Sequence, residues 1–229
     1  DTPSGSGSRL RIRPVSSAVS AGNLGAVPEQ PPDRRADTSV PIHPPIAARW
    51  SPRAFDPDAQ VTTEQVTALL EAARWAATWG GRQPVRFVVG IRRHDSTGDT
   101  FDMIAGLLSR GNSYAEAASA LILVCADEGE DPNTALYAAV DAGAAEANLI
   151  IEAVSRGLVT HPMAGFDVDA ARVAFDIPDR VRPLMVIAVG SLADYRTVDD
   201  NIAERDGRLR ERLPLSEIAF ARTWGQPWR

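Results

Sequence analysis

The chain has 229 residues, 44% of them hydrophobic and 24% charged, the composition of an ordinary folded protein with enough apolar material for a core. Its formal net charge of −6 gives no chain-wide basic field and argues against nucleic acid as the main partner, although all 24 positive residues are arginine. One cysteine, Cys125, excludes an internal disulfide framework and fits a reducing, cytoplasmic setting, and no apolar run approaches the roughly 20 residues of a membrane span.

Residues 1–40 are rich in Ser, Gly, Pro and Arg, with neither a periodic apolar face nor the apolar middle of a secretory signal. Burying so little apolar surface does not offset the entropy of ordering. The composition therefore predicts a flexible tail over 1–40, a folded core over 41–195 and a C-terminal extension over 196–229. Early in the core Arg49, Ser51 and Arg53 alternate, and in an extended segment such side chains point the same way, about 6–7 Å apart. Two planar guanidinium forks flanking a hydroxyl suit a phosphate; a solvated arginine face is the other reading.

Thr62 stands three residues ahead of Gln65, the pattern of a capping box. It predicts a helix from about Thr63, with Val66, Leu69, Leu70, Ala73 and Ala77 on its apolar face. The helix leads into a loop, Thr78-Trp79-Gly80-Gly81-Arg82-Gln83-Pro84, whose glycines let backbone approach a flat ligand because no Cβ holds it off. Trp79 there suits either stacking on a ligand or filling an interface. The β-branched run 85–91 predicts a strand, Phe101, Ile104, Leu107 and Leu108 a short helix, and Gly111-Asn112-Ser113 the start of another ending near Ala118.

Residues 120–126 are continuously apolar, as in a central strand covered on both faces, which makes Cys125 a buried, inert thiol. An alanine-rich helix over 133–155 follows, with Gly157 in the place of a left-handed cap. Its small side chains predict close packing within the domain or across a dimer. A loop over 160–167 comes next, with Asp167 capping a helix that reaches Phe175, then a strand over 184–189 closed by Gly190. Arg208, Arg210 and Arg212 form a second alternating set. His43, His94 and His161 are far apart and have only one cysteine to join them, so no metal site is expected. His161 suits proton delivery or a structural role. No Gly-x-Ser-x-Gly elbow anchors a hydrolase triad.

Five pieces in order resemble the nitroreductase family of flavin-dependent oxidoreductases over about residues 45–215: Arg49-Trp50-Ser51-Pro52-Arg53-Ala54-Phe55, the loop 76–87, Gly111-Asn112, His161-Pro162-Met163-Ala164-Gly165-Phe166-Asp167, and Arg210-Glu211-Arg212-Leu213-Pro214. The resemblance implies an α+β fold, a mostly antiparallel central sheet surrounded by helices, built as an intertwined homodimer with FMN at the interface sites. It implies that Arg49, Ser51, Arg53, Arg210 and Arg212 hold the ribityl phosphate, and that Thr78, Gly80, Gly81 and Gln83 line the isoalloxazine and ribityl chain. Asn112 would touch the pyrimidine edge, and Ala164 and Gly165 the opposite edge, with a backbone N–H toward flavin N5.

In such proteins the cofactor carries the chemistry and the protein positions it, so no catalytic side chain is required. The implied reaction passes a hydride from NADH or NADPH to the flavin and then to a small electron acceptor, a nitroaromatic, a quinone or similar, in ping-pong order. The chain departs from the family pattern at four places. Ala77-Thr78 stands where Pro-Ser is common, Gly81 where asparagine is, Val85 where tryptophan is frequent, and Ala164 where some members carry glutamate. The alternatives are a flavin-binding protein without reductase activity, or a family relative with different flavin or deazaflavin chemistry.

Overall fold

A four-stranded antiparallel sheet in the order β1-β2-β4-β3 forms the centre, from β1 (Val85–Ile91), β2 (Ala120–Asp127), β3 (Val159–Met163) and β4 (Val181–Gly190). The structure, a computed structural model, describes residues 33–94 and 96–228, so most of the expected tail lies outside the described residues. Around the sheet are α1 (Pro44–Ala48), α2 (Thr63–Arg74), α3 (Gly98–Leu107), α4 (Pro132–Ser155), α5 (Val168–Ala174), α6 (Asp200–Gly207) and α7 (Leu215–Ile218). This is the α+β arrangement that the sequence implies.

The period-2 pleat of β2 sorts its run of apolar side chains into two cores. Ile122 and Val124 join Leu69 and Ala73 of α2 and Leu149 of α4 on one face. Leu121, Leu123 and Cys125 join Phe101 and Ile104 of α3 and Ala171 of α5 on the other. The sheet is thus covered on both sides. Burial pushes the Cys125 thiol up from its ordinary 9.0 to about 11, which keeps it protonated and inert.

Local signals set the helix ends. Both arms of the capping box form at α2: Gln65 N–H donates to Thr62 Oγ1 (3.1 Å) and Thr62 N–H to Gln65 Oε1 (2.9 Å). Helix α4 starts on Asp131, which accepts from the Asn133 and Thr134 N–H groups, with Pro132 at its first position, and Gly157 follows its end at φ 75°. The alanines expected to pack closely do so. Ala138, Ala142 and Ala145 are buried, and Asn148 Nδ2 donates across to Ala72 O of α2 at 3.1 Å.

Four expectations change; the first is α2, which ends at Arg74 and leaves Ala77 beyond it. The first part of the segment 160–167, read as loop, belongs to the edge strand Val159–Met163, where Pro162 is tolerated because an edge leaves some N–H positions unpaired. Strand β4 begins earlier, at Val181, and takes in Pro183 at the register shift opposite Cys125, the kind of place where a ladder spares a missing donor. Residues Arg110–Ala117 wind as a 3₁₀ helix rather than an α-helix. The short α1, begun by Pro44, has no counterpart in the sequence reading.

Candidate functional site

Arg49, Ser51, Arg53, Arg210 and Arg212 line one cavity of about 190 Å³, together with Arg34, Trp50, Arg205 and Asp206. Arg49 caps the C-terminus of α1, where its N–H donates to Pro45 O (3.0 Å) before the chain extends. From there its Nη1 donates to Ser51 Oγ at 3.2 Å. The alternation read from the sequence therefore does converge these side chains. Helix α6 and the segment after it bring the second arginine set to the same place, and Arg210 Nη1 donates to the main-chain carbonyl of Arg34.

Six arginines face one lining carboxylate, Asp206. Their mutual repulsion shows: burial and Arg212 lower the Arg49 pKa, and burial, Arg49, Arg212 and Arg34 lower that of Arg210. An anion in the cavity would relieve this crowding. The Nε atoms of Arg34 and Arg53 are buried and have no hydrogen-bond partner among the described residues. Buried donors without partners are costly, so this donor set fits a phosphate.

Asp206 fixes the cradle. Buried on α6, it accepts from Arg53 N–H (2.9 and 3.0 Å), Ala54 N–H (3.2 Å) and Tyr195 Oη–H (2.8 Å), and lies 3.6 Å from Arg53 Nη1. Burial and this carboxylate push the Tyr195 pKa up, so the phenol stays a donor. The sequence reading missed Asp206, Arg205 and Arg34. For Asp206 a signal existed: it stands three and four residues after Ala203 and Ile202, so an acid falls on an otherwise apolar helical face and demands a partner.

Beside the cradle, the Tyr114 ring lies 5.6 Å beneath the Arg53 guanidinium and 5.1 Å from the His161 ring. His161 is 9% exposed and its Nδ1 is 2.8 Å from Pro52 O. A carbonyl only accepts, so Nδ1 carries the proton and His161 is a neutral brace on the residue between Ser51 and Arg53. Burial lowers its pKa below the ordinary 6.5. The unfolded chain therefore protonates first. This contribution to stability is complete above pH 6.5 and is lost as pH falls below it, with a slope of at most about 1.4 kcal/mol per pH unit. Urea unfolding at pH 7.5 and 5.5 should show that component in the native protein and not in His161→Asn; an equal loss in both would remove His161 from the account.

The 3₁₀ segment that carries Tyr114 also carries Asn112, whose Nδ2 donates to Gly165 O at 2.8 Å, while Ser109 N–H donates to the same oxygen at 3.0 Å. Asn112 and Gly165 are thus joined directly, side chain to main chain. A Cβ at Gly165 would sit 2.5 Å from Ser109 Oγ and 2.8 Å from Asn112 Nδ2, so both side chains would have to turn aside.

The loop stands apart. Thr78 and Gln83 line a second, largely apolar groove of about 550 Å³ with Leu70, Ala73, Val85, Phe87 and Ala145. Gly80 and Gly81 (φ 55° and 68°) and Gln83 (φ 51°) adopt left-handed backbone, and the turn is pinned to α4: Trp79 N–H donates to both Asp141 carboxylate oxygens (3.0 and 3.1 Å), and the Trp79 ring stacks on Tyr137 at 5.6 Å. Trp79 is committed to a partner on α4. Glu146, further along that helix, is the carboxylate felt by Arg49. Among the described residues no cluster of three or more His, Cys, Asp and Glu side chains could hold a metal ion.

Comparison with known proteins identifies the family and the fold. The chain is 64% identical over 148 residues, 62% of its length and 99% of the other's, to "Uncharacterized 15.4 kDa protein in ask 5'region" of Mycolicibacterium smegmatis. A solved structure described as an oxidoreductase containing FMN superposes with a TM-score of 0.76 at 32% identity, covering 85% of this chain and 98% of that one. The NADPH:FMN oxidoreductase of Vibrio harveyi, solved with NAD+, shares the fold at a TM-score of 0.63 and 19% identity, covering 79% of this chain and 76% of that one. The family model for the nitroreductase family matches residues 46–191, more than half of the chain, and the chain belongs to that family.

Proposed function

We propose that the chain is an FMN-dependent oxidoreductase that works as a homodimer. The observation that carries the reading is the cradle, six arginines around one cavity with two buried guanidinium nitrogens unpartnered among the described residues, in a member of the nitroreductase family. When bound, FMN supplies two-electron chemistry, taking a hydride from NADH or NADPH and delivering it to a small acceptor such as a nitroaromatic or a quinone in ping-pong order.

The chain's own residues bind and orient. Arg49, Ser51, Arg53, Arg210 and Arg212 neutralise the phosphate through charge-assisted hydrogen bonds, with Asp206 holding the Arg53 backbone in place. Asn112 spends its amide N–H on Gly165 and keeps Oδ1 free to accept from a ring N–H of the pyrimidine edge. Ala164 and Gly165 would run along the opposite edge, with a backbone N–H available to flavin N5. Thr78, Gly80, Gly81 and Gln83 wall the flat part of the cofactor.

Cradle and loop line separate cavities within one chain, which supports a site completed by two chains, the loop of one facing the cradle of its partner. Apolar side chains left on the surface support the same arrangement. Leu136 and Val140 of α4 are 65% and 64% exposed, and Leu213, Ile218 and Trp224 of the C-terminal segment are exposed as well. A cytoplasmic location belongs to this reading; among the described residues no helix is long and apolar enough to cross a membrane.

Protein purified without added flavin should show a flavin spectrum or acquire one with FMN, and anaerobic NADH or NADPH should bleach it. A colourless protein that takes up no FMN would sink the reading. Bleaching by light but by neither nicotinamide would favour a flavin-binding protein without reductase activity. Light scattering should give a dimer, and a flavin-loaded monomer would contradict the shared site.

A further inference from the structure

We propose that Arg34, which lies ahead of the family match beginning at residue 46, is a further phosphate-binding residue of the cradle, delivered by a segment that docks on the site. The proposal rests on the flavin reading above and extends it to a residue that neither the motifs nor the family match includes. Arg34 lines the same cavity as Arg49, Arg53 and Arg210. Its place is fixed at several points. The guanidinium sits 5.4 Å over the Trp50 ring, the neighbour of Arg49 and Ser51, and the main-chain carbonyl accepts from Arg210 Nη1. Two residues on, Ala36 N–H donates to Ala47 O of α1 at 2.8 Å.

What this geometry does not supply is an anionic partner. The Arg34 Nε is buried and unbonded, and among the described residues Arg34 forms no ion pair. With its guanidinium over an indole, Arg34 borders a cavity whose one lining carboxylate among the described residues is already engaged by Arg53, Ala54 and Tyr195. A guanidinium used only to pin the segment would need no cavity beside it. One aimed at a phosphate would, and the neighbouring positive charge felt by Arg210 is the field such a ligand quenches.

The discriminating ligands are FMN, which carries the phosphate, and riboflavin, which does not. Arg34→Gln should weaken FMN roughly 10- to 100-fold, the range for one charge-assisted hydrogen bond, and leave riboflavin affinity unchanged. Unchanged FMN affinity, or equal losses for both flavins, would overturn the proposal and leave Arg34 a structural pin. A second measurement needs no variant to fold: tryptic cleavage after Arg34 and Arg35 of the native protein should be slowed by FMN and by millimolar inorganic phosphate, but not by riboflavin. Cleavage indifferent to phosphate would also overturn it. A native protein that binds neither flavin would sink the flavin reading. In that event, protection of the Arg35–Ala36 bond by inorganic phosphate, lost in Arg34→Gln, would still assign Arg34 to the anion site, and its absence would remove it.

Discussion

Asp206→Ala is expected to lower the thermal midpoint by roughly 6–20 °C, from a loss of about 3–5 kcal/mol, the cost of breaking a buried charge pair from one side. The substitution strands the Arg53 and Ala54 N–H groups and the Tyr195 hydroxyl at once, and leaves the Arg53 guanidinium without the carboxylate 3.6 Å away. Because Arg53 is the inner wall of the cradle, FMN affinity should fall along with stability. Asp206→Asn separates the causes. With its oxygen in the place of Oδ2 an amide still accepts from Arg53 N–H, Ala54 N–H and Tyr195 Oη–H, so this variant should retain most of the stability and show chiefly the loss of charge. An Asp206→Ala midpoint within about 2 °C of the native value would show that the network contributes little.

Gly90→Ala should cost about 3 kcal/mol, a midpoint change of roughly 6–12 °C, without touching any proposed ligand contact. Gly90 pairs with Leu121 near the end of the edge strand β1, and α3 crosses directly over it. A Cβ there would lie 2.3 Å from Phe101 N, 2.4 Å from Phe101 Cα and 2.8 Å from Thr100 C. All three are backbone atoms, so no rotamer change makes room and α3 itself must move. Circular dichroism melts of the purified variant test this, and a native-like midpoint would mean that the close approach relaxes at little cost.

What the sequence disclosed and what it hid follow physical lines. Strand β1 and helix α4 are legible because their signals are local: a β-branched run, a long alanine-rich stretch, and a left-handed glycine after its end. Strand β3 is not, since five residues containing a proline carry no period and become a strand only through pairing with β4. The five cradle residues could be named because the family resemblance assigns them to a phosphate; arginines alternating around a serine, taken alone, fit a solvated face as well. Arg34 could not. Its membership depends on the docking of 33–37 against α1, a long-range event in a stretch whose composition reads as disorder. The separation of loop from cradle was also invisible, because spacing along the chain says nothing about which cavity a side chain borders.

The longest helix has a mechanical meaning. On α4, Asp141 holds the glycine turn through Trp79 and Glu146 is the acid sensed by Arg49, five residues further on. At 1.5 Å per residue the two fixtures stand about 7.5 Å apart along one rod. Backbone freedom at Gly80 and Gly81 can then alter the shape of the turn without altering where its foot is bolted. Thermal displacement of the rod carries both fixtures in step, so their separation is guarded by the stiffness of a hydrogen-bonded helix rather than by the softer loops at either end.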